Sequence, residues 1–191
     1  AELALFERGG RAVDFMPIDT GSGSASGAAQ AARQAIGAGA RIIVGPLTAA
    51  ETSAASAPAR SARVPVLAFT NDAAQSGPGV WTMGVTPAQQ VRRAVGAAMA
   101  GGAQRFALVA PDDGFGRALA AAMRSVAAEW GLPDPVVVLH ASRASAGAVA
   151  QDLAQRGTNG IDAVMIGSTG TQARQIAGAL GPAGLSSPPP R

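Results

Sequence analysis

Arg105–Met123 reads RFALVAPDDGFGRALAAAM: a short apolar run, an acidic turn, an aromatic between two glycines, then alanine and leucine at helical spacing. The run Phe106–Ala110 is continuous rather than alternating, as expected of a strand covered on both faces. The same unit of strand, polar turn and helix recurs in both directions along the chain. Strands are expected at Ala12–Ile18, Arg41–Val44, Val66–Phe69, Phe106–Ala110, Val136–Leu139 and Ala163–Ile166. Helices are expected at Ala28–Gly37, Ala49–Ala62, Pro87–Gly101, Gly116–Trp130, Ala146–Gly157 and Thr171–Leu180. Gly37, Gly101, Gly131, Gly157 and Gly181 stand where a left-handed C-cap would end a helix. Strict alternation of strand and helix implies parallel sheets with right-handed crossovers, an α/β architecture.

The alternation breaks once, at TNDAAQSGPGVWTMGVTPAQQ (Thr70–Gln90). A turn-rich segment there replaces a helix and leads into an extended VWTMGVTP, which reads as a crossing between two lobes. The boundary falls near residues 82–90, giving lobe one at 1–84 and lobe two at 85–191. The chain opens on a helix, AELALFERGG, and closes on the proline-rich GPAGLSSPPPR. In a doubly wound lobe the first strand lies centrally. Lobe one is therefore expected to lack its first strand and lobe two its last elements, with apolar surface and an unpaired sheet edge left open.

Composition excludes several chemistries. Nearly half of the 191 residues are apolar and only 14% are charged, enough apolar material for a buried core and against wholesale disorder. All 15 cations are arginines, so the net charge of +3 persists to alkaline pH. They are scattered, with Arg92–Arg93 the only adjacent pair, and no basic stripe interleaved with aromatics points to nucleic acid. Without Cys there is no thiol nucleophile, disulfide or thiolate metal site; without Lys there is no Schiff base and no phosphate-binding P-loop lysine. A lone histidine, His140, builds no His-rich metal site, and no metal or cofactor is expected. His140 directly follows an apolar strand and reads as a solvated or hydrogen-bonded strand-end residue rather than a catalyst. No apolar run is long enough to span a membrane.

The motifs lie at strand ends. IDTGSGSASGAAQ (Ile18–Gln30) offers glycines between strand and helix, but the spacing from Gly21 is G-x-G-x-x-x-G. Asp19 precedes it, and the next strand carries no ribose-reading acid. A capped, solvated turn is the better reading. In VGPLTAAETSAA (Val44–Ala55), Thr48 and Glu51 match a T-x-x-E capping box. The same helix start also suits an anion such as a carboxylate, so both readings stand. VLAFTND ends in Thr70, Asn71 and Asp72, which serve either turn chemistry or a ligand. Phe115 between glycines suits a ligand cover better than a core. Asp112 and Asp113 read as helix-start acids, with no partner acid or base to make them catalytic. Ser168 and Thr169 lie at a further strand end.

With DTGSGSASGAAQAARQAIGAGARIIVGPLTAAET, VPVLAFTND and RFALVAPDDGFGRALAAAM in view, the chain resembles the type 1 periplasmic binding proteins, of the leucine/isoleucine/valine-binding branch. FTND…GPGVWTMGVTPAQQVRRAV…GAQRFALVAPDDGFG resembles most closely the penicillin-binding-protein activator lipoproteins within it. The resemblance spans essentially the whole chain. It implies two Rossmann-like, three-layer lobes with parallel sheets, incomplete at both ends, and a ligand cleft between them. It carries ligand-binding roles onto Thr48, Ala49, Thr70, Asp72 and Phe115, with Phe115 standing where the family usually has Tyr and Ala49–Ala50 where it has hydroxyls. Ser168 and Thr169 join this set by their strand-end position. The implied function is a non-enzymatic periplasmic binding or regulatory protein that engages a peptidoglycan synthase. The alternative is an ABC-transporter receptor for amino acids or small amides. An outer-membrane lipid anchor would lie outside this sequence, and no nucleic-acid partner is implied.

Overall fold

The computed structural model describes residues 2–7, 13–21, 24–157 and 159–185. Ala12, the first residue of one expected strand, lies outside these, as do Ser22 and Gly23 of the glycine loop and the proline-rich close from Ser186. The chain divides into two compact units, Ala1–Val85 and Thr86–Arg191.

In the first unit, α1 (Glu2–Glu7) is followed by α2 (Ala25–Gly37), β1 (Ile43–Val44), α3 (Ala49–Ser61), β2 (Val66–Ala68) and β3 (Val80–Thr82). The sheet runs β1-β2-β3, all parallel, with Ile43 opposite Val66 and Val66 opposite Val80. No helix longer than a 3-10 turn at Ala73–Gln75 lies between β2 and β3. The segment read from sequence as a crossing therefore begins as the third strand of this sheet, because Val80–Thr82 pairs with β2 before the chain moves on.

A second correction concerns residues 13–18, expected as a strand. They form no ladder, and Val13, Phe15 and Met16 are exposed. An extended segment becomes a strand only where another strand accepts its backbone bonds, and no described strand lies beside it. One sheet face is covered: Val66, Ala68 and Val80 form a small core with Ala59 of α3. Along α3 the buried hydroxyls of Thr52 and Ser56 donate to the carbonyls of Thr48 and Thr52 four residues back, which satisfies them inside the helix. The other sheet face carries the cross-strand row Val44–Leu67–Trp81, with Phe69 and Met83 beyond it, and Trp81 is 52% exposed.

The second unit has three layers. Its elements are α4 (Pro87–Ala100), β4 (Phe106–Pro111), α5 (Gly114–Glu129), β5 (Val136–His140), α6 (Ala146–Arg156), β6 (Ala163–Ile166) and α7 (Gly170–Leu180). The parallel sheet runs β5-β4-β6. The period of two on β4 sorts the core. Phe106, Leu108 and Ala110 face Val91 and Val95 of α4 and Leu119 and Met123 of α5. Ala107 and Val109 face Val149 and Leu153 of α6 and Ile176 of α7. Burial on both faces is why β4 reads as an unbroken apolar run.

Local signals set the helix starts. Thr86 and Gln89 close a reciprocal capping box on α4, with Pro87 in the first turn. Ser145 caps α6 by accepting from the Ala148 amide. Helix ends depart from expectation. Of the five glycines, Gly131 takes the left-handed conformation (φ 68), whereas Gly101 (φ −88), Gly157 (φ −82) and Gly181 (φ −58) do not, and Gly37 is still helical. The chain turns one to three residues later in these cases, as at Gly39 and Gly102, because the last helical turn tightens before it reverses. Across the mouth of β4, Asp162 accepts from the Gln104 amide (3.0 Å), the Arg105 amide (2.9 Å) and the Arg105 guanidinium (2.6 Å). That guanidinium, with the two amides, holds the Asp162 carboxyl far below the usual carboxylate range.

Candidate functional site

The expected site residues all sit at the carboxyl ends of parallel strands, where open α/β sheets bind ligands. In the first unit the helix start after β1 is already occupied by the protein's own carboxylate. Thr48 caps α3: its hydroxyl accepts from the Glu51 amide (3.3 Å) and donates to Glu51 Oε2 (2.8 Å), and its amide donates to the same oxygen (3.1 Å). The other oxygen, Oε1, accepts from the hydroxyl of Thr20 (2.8 Å), 31 residues away. Glu51 is 3% exposed. The Thr20 hydroxyl first, then the hydroxyl and amide of Thr48, hold its carboxyl below the usual range against the opposing effect of burial. Both readings of this helix start stood open from sequence; the geometry gives the Thr48 hydroxyl to Glu51, and a ligand carboxylate at Thr48–Ala49 would meet a carboxylate. The sequence reading set Asp19 and Thr20 near the cleft rim but missed the bond from Thr20 to Glu51, because nothing in local spacing links positions so far apart.

After β2, Thr70 is buried, 3% exposed, and its hydroxyl accepts from the Asp72 amide (3.1 Å). Asp72 caps the 3-10 turn, accepting from the Ala74 amide (3.0 Å) and from Gln75 Nε2 (3.0 Å). Its carboxylate is thus engaged in turn chemistry, the blander of its two sequence readings.

The glycine loop before α2 is not a phosphate cradle. Asp19 accepts from the Gly21 amide (2.9 Å), and Ser24 caps the helix by accepting from the Gly27 amide (3.0 Å). The Thr20 carbonyl fills the space that a Cβ on Gly27 would take. The capped-turn reading describes these residues.

In the second unit, Asp113 caps α5 by accepting from the Gly116 amide (2.8 Å), and Asp112 pairs with Arg117 across the first turn. These acids are helix-start acids, as the sequence suggested. Phe115 departs from expectation. It is half-buried and packs on the core cluster of Leu108, Ala110 and Leu119, because α5 starts directly over the end of β4. Thr169 stands at the N-cap of α7 without a side-chain capping bond. The hydroxyl of Ser168 is buried and bonds to no described residue.

Of the two strand-end readings of His140, solvated or hydrogen-bonded, the structure shows the hydrogen-bonded one at the end of β5. It is 6% exposed, and its Nε2 is buried without a hydrogen-bond partner among the described residues. Nδ1 lies 2.9 Å from the carbonyl oxygen of Ala141. A carbonyl only accepts, so Nδ1 donates to it, and in the neutral ring Nε2 is then the acceptor. The burial follows from register: His140 stands opposite Pro111, on the strand face shared with buried Val138.

Among the described residues no group of three or more His, Cys, Asp and Glu gathers to hold a metal ion, and no helix is long and apolar enough to cross a membrane.

A family model described as "Periplasmic binding protein" matches residues 2–189. No curated protein sequence matches the chain. Among solved structures, the closed leucine-, isoleucine-, valine-, threonine- and alanine-binding protein of Brucella ovis is 19% identical, with a TM-score of 0.75 over 95% of this chain and 50% of that one. An amino acid ABC transporter substrate-binding protein from Pseudomonas fluorescens Pf-5 is 18% identical, with a TM-score of 0.73 over 91% of this chain and 48% of that one. Full-length LpoA from Haemophilus influenzae is 19% identical, with a TM-score of 0.65 over 92% of this chain and 32% of that one. The chain thus spans half, or less, of the length of these relatives. At such identities the likeness is one of fold.

Proposed function

The chain belongs to the periplasmic binding protein family, and from that premise we propose that it is a non-enzymatic, solute-binding protein of the bacterial envelope, working in the periplasm. One observation carries the reading. At the strand ends of the second unit, the buried Ser168 hydroxyl has no described protein partner and the Thr169 hydroxyl is not spent on capping α7. Burying a hydroxyl without a partner costs about 1–3 kcal/mol, which a ligand's hydrogen bond would recover. Phe115 at the start of α5 supplies further strand-end surface in the same unit. Asp112 and Asp113 are engaged at a helix start, so no acid–base pair is left among them for chemistry. The solute class is an amino acid or small amide, the kind of ligand that the Brucella ovis protein is named for.

A second reading rests on a different observation. The order FTND…GPGVWTMGVTPAQQ resembles the penicillin-binding-protein activators, and LpoA shares the fold. On that reading the partner is a peptidoglycan synthase.

A thermal-shift and calorimetry screen against amino acids and small amides, beside a pull-down with a penicillin-binding protein, separates the two. Solute binding that Phe115→Ala abolishes supports the receptor reading. Retention of the synthase with no stabilising solute supports the activator reading and overturns the first.

A further inference from the structure

We infer that His140 and Ser168 together form a polar subsite that takes a hydrogen-bond donor group, a hydroxyl, ammonium or amide N–H, and rejects groups that only accept. The inference rests on the solute-binding reading and names the chemistry of one part of its site.

Register places the two residues in one row. His140 pairs with Pro111 on one side of β4. On the other side Val109 pairs with Ile166, the last pair of that ladder, and the Gly167 amide donates to the Val109 carbonyl (2.7 Å); the same register carried two residues further sets Ser168 level with Pro111. With strands about 4.8 Å apart, the two backbones lie roughly 10 Å apart. Alternation also places them on one face. Val136 and Val138 on β5, and Val164 and Ile166 on β6, all pack on the α6–α7 side. Gly167 faces the other way, toward Ala110 and Leu119, which turns Ser168 back to the side that His140 faces.

The chemistry follows from the protons. Nδ1 of His140 is spent on the Ala141 carbonyl, so in the neutral ring Nε2 offers a lone pair alone. Ser168 Oγ both donates and accepts. To pair with that lone pair a ligand must bring a hydrogen to Nε2, which an alcohol, ammonium or amide does and an ionised carboxylate does not. The turn at Ala141–Arg143 beside His140 is exposed and is tied to α7 by Gln172 Nε2 donating to the Ser142 carbonyl (3.3 Å).

The single histidine makes the test direct, since the imidazole nitrogen signals of the full chain need no assignment. The 15N signal of Nε2 is followed while ethanolamine, glycinamide and L-threonine are titrated in, with acetate as the acceptor-only probe. The expected result is a saturable shift with at least one donor probe and none with acetate. Ser168→Ala should weaken the responding probe about tenfold, and His140→Phe should remove the thermal stabilisation that the probe confers. A silent Nε2 signal across the donor probes, or an equal response to acetate, overturns the inference. Stabilisation by a solute with a silent Nε2 leaves the solute-binding reading standing and sinks this one alone. A shift that Ser168→Ala does not weaken removes Ser168 from the subsite and overturns the pairing.

Discussion

The carbonyl of Thr20 lies against Cα of Gly27, where a Cβ would overlap it. The same relationship recurs in the second unit between the carbonyl of Pro111 and Gly116. Both glycines are the third residue of their helix, and both donate their amide to the N-cap side chain, Ser24 in one unit and Asp113 in the other. The glycines at these helix starts let helix and preceding chain approach closely. Gly27→Ala and Gly116→Ala should each destabilise by about 2 kcal/mol or more, since the obstacle is backbone and does not swing away. Gly114→Ala, in open space at the start of α5, should be neutral or gain up to about 1 kcal/mol. Urea unfolding of the three variants tests the contrast.

Glu51 joins three partners: the Thr20 hydroxyl, the Thr48 hydroxyl and the Thr48 amide. Its folded-state carboxyl titrates below the unfolded one. Its contribution is therefore complete above an unfolded value of about 4.3 and is lost as pH falls through the folded value. Glu51→Gln should cost about 1–2 kcal/mol at pH 7 and flatten the acid limb of first-unit stability. Thr48→Ala, removing the cap alone, should cost about 1 kcal/mol.

Asp162 ties the start of β4 to the start of β6 through Arg105 and two amides. Its carboxyl is also lowered, so the sign is the same: stability present above about pH 4 drains as acid protonates it. Asp162→Asn should weaken the second unit by about 1 kcal/mol at neutral pH and leave the first unit unchanged. Amide hydrogen exchange of the two units separates these effects.

Trp81 stands on the open face of the first unit's sheet beside Val44 and Leu67. Trp81→Ser should change folding stability by less than about 0.5 kcal/mol, because little contact is lost. It should also reduce self-association in sedimentation, since it interrupts a contiguous apolar patch. Acrylamide should quench Trp81 more readily than Trp130, which packs on the second unit's core.

Where the signal is local, the chain discloses its own structure. Phe106–Ala110 is apolar at every position because both faces of β4 are buried, and set among alternating helices such a run marks a parallel sheet. The Thr48–Glu51 spacing writes a capping box into four residues. The strand expected at 12–18 shows the limit. Its residues favour extension, yet a ladder also needs a neighbour, which no window of sequence contains.

By itself, then, the sequence determined the α/β class, the helix starts, the strand-end placement of Thr70, Phe115, Ser168 and Thr169, and the reading of Asp112 and Asp113 as helix-start acids. All depend on periodicity or on bonds spanning a few residues. Tertiary structure alone decided that Glu51 answers to Thr20, that Phe115 packs on the core, and that His140 is buried opposite Pro111. These are matters of register between strands and of contacts between residues tens of positions apart. Such contacts exist only once hydrophobic burial has brought the elements together, because side-chain hydrogen bonds do not draw a chain's distant parts into place but are satisfied where packing has set them.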